Sequence, residues 1–228
     1  MNLFSLSRKQ AGSSFSSVTA HPANLVDILS LDRDDFRYIS KGKYNTVFLT
    51  NNQGRRQIFY NDKPLRYLAL SPSQTQVSFF YAPNNQSSEE LTLILLEKEN
   101  GAFREIFQTR FASWDVRSDL HWLGDNHLFF LRHCGTACQG ITLLTVATGK
   151  TKNATLSYSS FSDQPATTHF KDWFGQEFEL PGLVDEVYSE TKNGYNYLVI
   201  KIKDDKGLYL GENRFLFTGS GLLNSRSS

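Results

Sequence analysis

Residues 120–144 read LHWLGDNHLFFLRHCGTACQGITLL, and the way this stretch divides decides the fold. Leu120-His121-Trp122 is strand-like. Leu123-Gly124-Asp125-Asn126 is a turn, made of residue types that tolerate tight or left-handed backbone. His127 to Arg132 is an apolar run, a cysteine pair follows at Cys134 and Cys138, and Ile141 to Val146 is a second apolar run. A polar turn, Thr148-Gly149-Lys150, comes next, and Lys152 to Leu156 reads as the returning strand.

The pattern recurs on both sides. Thr46 to Thr50, a turn ending in Gly54, and Gln57 to Tyr60 read as two strands joined by a glycine turn. Leu91 to Leu96 and Phe103 to Phe107 flank Glu99-Asn100-Gly101 in the same way. Tyr197 to Ile202 and Leu208 to Leu210 flank Asp204-Asp205-Lys206-Gly207. The turn glycines 54, 101, 149 and 207 therefore stand about fifty residues apart, a spacing typical of repeat architectures. Between the glycine hairpins lies a second kind of element. Leu65 to Leu70 and Val77 to Tyr81 flank Ser71-Pro72-Ser73-Gln74, just as the Leu120 and Leu128 runs flank the Gly124 turn. One period thus holds four short antiparallel strands.

A lone four-stranded sheet leaves both faces wet, and stacking it on its neighbours covers them. The expected fold is all-β, built of antiparallel propeller-like blades, about four, forming a small or partial propeller. A two-sheet sandwich is the alternative, although it gives no reason for a period near fifty residues. Leu70-Ser71-Pro72-Ser73 stands where TolB-like and WD40-like propeller repeats often carry a Trp-Ser-Pro-Asp-Gly turn. Trp122-Leu123-Gly124-Asp125-Asn126 keeps the Trp and an Asp of that turn. Over residues 44–157 the chain resembles those repeats, and the resemblance implies the same blade-type fold.

The ends of the chain read differently. Residues 1–20 are crowded with serine and poor in apolar side chains, so a disordered tail is expected there. A single all-β domain is expected over 21–218 and a second tail over 219–228. Pro22 to Ser30 reads as a short helical turn or a strand. Asp32, Asp34 and Asp35 read as a solvated acidic turn, since the glycine and distal glutamate of a calcium loop are missing. Near Asn193-Gly194 the sequence carries the strongest short hairpin signal, between Val184 to Glu190 and Tyr195 to Ile202.

Composition excludes some functions. The 228 residues carry 24 basic and 23 acidic side chains, a net charge of +1, so the electrostatic footprint of a nucleic-acid binder is missing. No apolar run approaches the roughly 20 residues of a membrane helix. His121, His127 and His133 cluster with both cysteines, a mixture that suits zinc. Spacing argues against it: six residues of extended strand put His127 and His133 about 20 Å apart. No metal and no cofactor is expected.

Cys134 and Cys138 enclose Gly135-Thr136-Ala137, a hairpin mouth that brings Cα atoms to about 5 Å, within reach of a disulfide. Two reduced thiols in a cytosolic loop are the alternative. An oxidised pair favours an extracytoplasmic, periplasmic or cell-surface setting. No phosphate loop, nucleophile elbow or metalloprotease motif is present, and no set of catalytic residues converges in the sequence. The expected function is a non-catalytic protein- or ligand-binding or scaffolding module, with a protein as the expected partner. Its binding residues are expected to be Cys134, Gly135, Thr136, Ala137 and Cys138, together with the aromatic pair Trp173 and Phe174. The alternative is a hydrolase or lyase in the funnel of a propeller, for which His121, Asp125, His127 and His169 are the candidates.

Overall fold

The computed structural model describes residues 35–38, 45–51, 54–82, 89–99, 102–159 and 165–225. The expected N-terminal tail, the Pro22–Ser30 segment, Asp32 and Asp34 lie outside these residues. The described backbone is all strand and turn, arranged in antiparallel sheets. Among the described residues no helix is long and apolar enough to cross a membrane. Contacts between Cα atoms divide the chain into two compact units, Met1–Ser113 and Trp114–Ser228.

The first unit holds two sheets. One is three-stranded: β1 (Asp35–Tyr38), β2 (Thr46–Asn51) and β3 (Gly54–Tyr60). The other is a four-stranded meander: β4 (Arg66–Leu70), β5 (Gln76–Tyr81), β6 (Glu90–Glu99) and β7 (Ala102–Ala112). This meander is the predicted period of two strands, polar turn, two strands. Ser71 makes its first turn. The Ser71 backbone N–H donates to the Gln76 carbonyl at 3.0 Å, and its hydroxyl accepts from the Gln76 N–H at 3.2 Å. Val47, Val77, Phe79, Tyr81, Ile94 and Leu96 join the two sheets in one core, with Phe59 edge-on to Phe79 at 4.7 Å. Alternation explains the choice of residues, since Val77, Phe79 and Tyr81 point to one face of β5. Its other face, Gln76, Ser78 and Phe80, is buried as well, so β5 is covered on both sides.

The second unit begins with β8 (His121–Leu123), β9 (His127–Gly135), β10 (Cys138–Thr145) and β11 (Lys150–Ser159), the stretch from which the period was read. The sheet does not stop at four strands. β12 (Thr167–Lys171) and β13 (Glu177–Pro181) extend it to six, in the order β13-β12-β11-β10-β9-β8. The inward face of the added hairpin is only two residues long on each strand, Thr168 and Phe170 opposite Leu180 and Phe178, and one of the four is polar, which leaves no clear period-2 signal.

A single residue, Gly182, then carries the chain into the last sheet: β14 (Leu183–Lys192), β15 (Tyr195–Lys203), β16 (Tyr209–Phe217) and β17 (Leu222–Ser225). Gly182 has φ +109°, and a Cβ there would lie 2.5 Å from Ile202 Cγ2 and 2.6 Å from the Lys203 carbonyl oxygen. Only glycine fits so sharp a passage. Its N–H donates to the Ala166 carbonyl and its own carbonyl accepts from the Thr168 hydroxyl, both at 2.7 Å.

β17 corrects the expected C-terminal tail over 219–228. Leu222 is 1% exposed and packs with Phe215 and Phe217. Phe215 to Phe217 form the end of β16. The two sheets of this unit share one apolar core of Phe129, Ile141, Leu156, Phe170, Trp173, Leu198, Ile200 and Phe215, among others. The described residues form four sheets, more than the one pair of a two-sheet sandwich, so that alternative is set aside.

Candidate binding surface

The cysteine loop is the tip of the β9–β10 hairpin. Cys134 and Cys138 are joined by a disulfide, with Cα atoms 5.2 Å apart. The strands pair from Thr145 opposite His127 to Cys138 opposite Gly135, with an irregularity between Cys138 and Gln139 that takes up the odd residue of the loop. Gly135 has φ +148° and thus needs to be glycine. On the far side the Tyr158 N–H donates to the Ala137 carbonyl at 2.9 Å. Burial raises the Tyr158 phenol above its ordinary value, so it stays protonated, and its hydroxyl donates to Gln139 Oε1 at 3.3 Å. Cys134, Gly135, Thr136 and Ala137 are exposed and Cys138 is half-buried.

Beside the loop stands Trp114. It is 63% exposed and meets His133 edge-on, with ring centroids 5.6 Å apart. A short extended segment holds it there. The His133 N–H donates to the Asp115 carbonyl and the Arg117 N–H to the Leu131 carbonyl, both at 2.8 Å, and Val116 bridges Arg132. The Asp115 carboxylate is buried, and Arg132 Nε reaches its Oδ2 at 2.7 Å while Nη2 binds the same oxygen. No local pattern marks this Trp as exposed; the Asp115–Arg132 pair that orients it spans 17 residues.

The aromatic half of the expected site lies elsewhere. Asp172 closes the β12–β13 turn, its Oδ1 accepting from the Phe174 and Gln176 N–H groups at 2.8 Å each. That Asx turn swings Trp173 inward. Trp173 is 5% exposed, and its Nε1 donates to the Ile141 carbonyl at 3.0 Å. Phe174 is half-buried, with Lys152 Nζ 4.2 Å from its ring centre. Since hairpin turns alternate between the two ends of a meander, the β9–β10 and β12–β13 turns open at opposite ends of the six-stranded sheet. Trp173 and Phe174 do not converge with the disulfide loop.

The histidines and Asp125 form no cluster either. His121 stacks on Phe129 at 5.0 Å, and burial lowers its pKa against the opposing pull of Asp119 and Glu186. His127 meets Phe217 edge-on at 4.8 Å, and burial and Lys152 lower its pKa too. His169 is exposed on β12, and Asp125 sits in the β8–β9 turn. His133 lies at the far end of β9 from His127, as the strand spacing required. Among the described residues no group of three His, Cys, Asp or Glu side chains is placed to hold a metal ion.

Fold and surface together define an all-β, propeller-like protein of antiparallel meanders with a disulfide-clasped loop at one sheet end. No family model matches the chain, and no curated protein matches it. Among solved structures it is similar to the β-propeller domain of the trilobed protease from Pyrococcus furiosus, at 13% identity and a TM-score of 0.47, over 88% of this chain and 71% of that one. An uncharacterised protein of Listeria monocytogenes is similar at 13% identity and 0.36, over 89% and 81%. A puromycin-hydrolysing peptidase of Mycobacterium tuberculosis is similar at 9% identity and 0.40, and there the match spans 90% of this chain and 38% of the peptidase.

Proposed function

We propose that this chain is a non-catalytic binding module of the TolB-like and WD40-like blade type, and that the Cys134–Cys138 loop with Trp114 and His133 is the surface that meets a protein partner. One observation carries the reading: a loop of small side chains, exposed along its length and clasped by a disulfide, stands beside an exposed Trp. A rigid loop loses little conformational entropy on association, and an exposed Trp is the side chain most enriched at the centre of protein interfaces. Removal of Trp173 from the surface leaves Trp114 as the aromatic anchor. The oxidised pair suits an extracytoplasmic compartment.

The test compares capture of partners from the source organism's own extract by the wild-type chain, by Trp114→Ala and by Thr136→Arg/Ala137→Arg. These positions are exposed, so the variants keep the wild-type melting temperature. A partner retained by the wild type and lost by both variants supports the surface. Equal capture by all three proteins removes the loop from the reading.

A further inference from the structure

We propose that the Cys134–Cys138 bond is a reversible thiol-exchange site rather than a staple of the fold. This stands whether or not the loop binds a partner. Three features of the hairpin carry it. The first is access: Cys134 is exposed, Cys138 is half-buried, and neither belongs to the apolar core of the second unit. Exposed disulfides are the labile ones, because an attacking thiolate reaches a sulfur without opening the fold.

The second is redundancy. β9 and β10 are paired along their whole length down to His127 and Thr145, and β10 is paired with β11 on its other side. The loop carbonyl of Ala137 is held by the Tyr158 N–H. The core residues on these strands, Phe129, Leu131, Ile141 and Leu143, all lie away from the tip. The ring closed by the bond spans a sequence separation of only 4, so cutting it returns little chain entropy to the unfolded state. The third is exclusivity. The chain has 2 cysteines in all, so a released thiol has no other intrachain partner and exchange leads back to the same bond.

The step balances with an external dithiol as reductant. One of its thiolates attacks the Cys134 sulfur; the new sulfur–sulfur bond forms as the Cys134–Cys138 bond breaks, and Cys138 leaves as a thiolate that takes a proton from water. The second thiolate of the reductant attacks its own sulfur in the mixed disulfide and releases Cys134. Two electrons pass to the protein and the dithiol becomes a disulfide. The paired strands hold the two Cα atoms at the hairpin mouth, so an oxidised dithiol reverses the sequence. What changes between the states is the stiffness of Gly135–Ala137 and of His133, the ring partner of Trp114.

The experiment treats the native full chain with dithiothreitol at neutral pH, quenches with iodoacetamide, and maps the alkylated peptides by mass spectrometry. Circular dichroism and thermal melting run in parallel. Both cysteines are expected to be alkylated without denaturant, with the strand signal retained and the melting temperature lower by at most about 8 °C. Oxidised glutathione should restore both mass and melting temperature. The Cys134→Ser/Cys138→Ser variant should melt with the reduced wild type. Alkylation that needs denaturant, loss of strand signal on reduction, or failure of the double variant to fold would each overturn the proposal.

Discussion

The indole Nε1 of Trp173 donates to the carbonyl of Ile141 at 3.0 Å, tying the turn of an added hairpin to the middle of the sheet that carries it. Trp173 also lies against Phe129 and Phe217, at 6.0 and 6.2 Å between ring centres. Trp173→Ala should cost about 3–5 kcal/mol, as loss of a buried large aromatic does. Trp173→Phe keeps the ring and loses the donor, and should cost about 1–3 kcal/mol. Urea unfolding of both variants checks this; a cost near zero for Trp173→Ala would return Trp173 to the surface.

Gly182 joins the two sheets of the second unit through a backbone that other residues resist. Gly182→Ala places a methyl 2.5 Å from Ile202 Cγ2 at φ +109°. The strain alone is about 1–3 kcal/mol, and the clash adds to it. Gly175→Ala is the control: its φ is +87°, yet nothing lies within 4 Å of the added carbon. Thermal melting should rank Gly182→Ala well below Gly175→Ala.

Adjacent residues of β17 should respond in opposite ways. Leu222 is 1% exposed and Leu223 is 53% exposed. Leu222→Ala should cost about 2–4 kcal/mol and Leu223→Ala less than about 0.5 kcal/mol. Denaturant midpoints measure both. Equal, small costs would mean that this segment is the tail first expected.

The Asp115–Arg132 pair is a buried carboxylate held by one guanidinium. Arg132→Ala strands the carboxylate and should cost about 3 kcal/mol, whereas Asp115→Ala/Arg132→Ala should recover part of that loss. A double-mutant cycle on unfolding free energy gives the coupling. Tryptophan emission should shift in Arg132→Ala as well, because Asp115 positions Trp114.

Stability should fall in mild acid through His121. Its folded-state pKa is lowered from 6.5 by burial, with Asp119 and Glu186 opposing. A lowered value means that the unfolded chain binds the proton first. The contribution is complete above about pH 6.5 and is lost as pH falls from there through the folded value. His121→Phe keeps a ring on Phe129 and removes the titration. The melting temperature of the wild type should drop more steeply from pH 7 to pH 5 than that of His121→Phe, and parallel curves would clear His121.

Much of the fold was legible because its signals are local. The glycine hairpins at Gly54, Gly149 and Gly207, the Ser71 turn and the apolar runs of β5, β9, β10 and β15 each depend on a few consecutive residues. The disulfide was legible for the same reason, since three intervening residues set both cysteines at a hairpin mouth. Gly101 belongs to the same pattern and lies outside the described residues. β12, β13 and β17 were harder to read. Their strands are short and lie toward or at sheet edges, so few side chains carry the alternation.

The sequence by itself determined an all-β chain of repeated antiparallel meanders and a clasped loop between His133 and Gln139. Only the tertiary structure decided that Trp173 is core and Trp114 is surface, and that the two turns expected to form one site open at opposite sheet ends. The reason is parity. A strand shows one side chain up and the next down, and a meander turns at one end and then the other, so an added hairpin or a shift of one residue reverses what faces solvent. That count closes only when every strand of the sheet is in place.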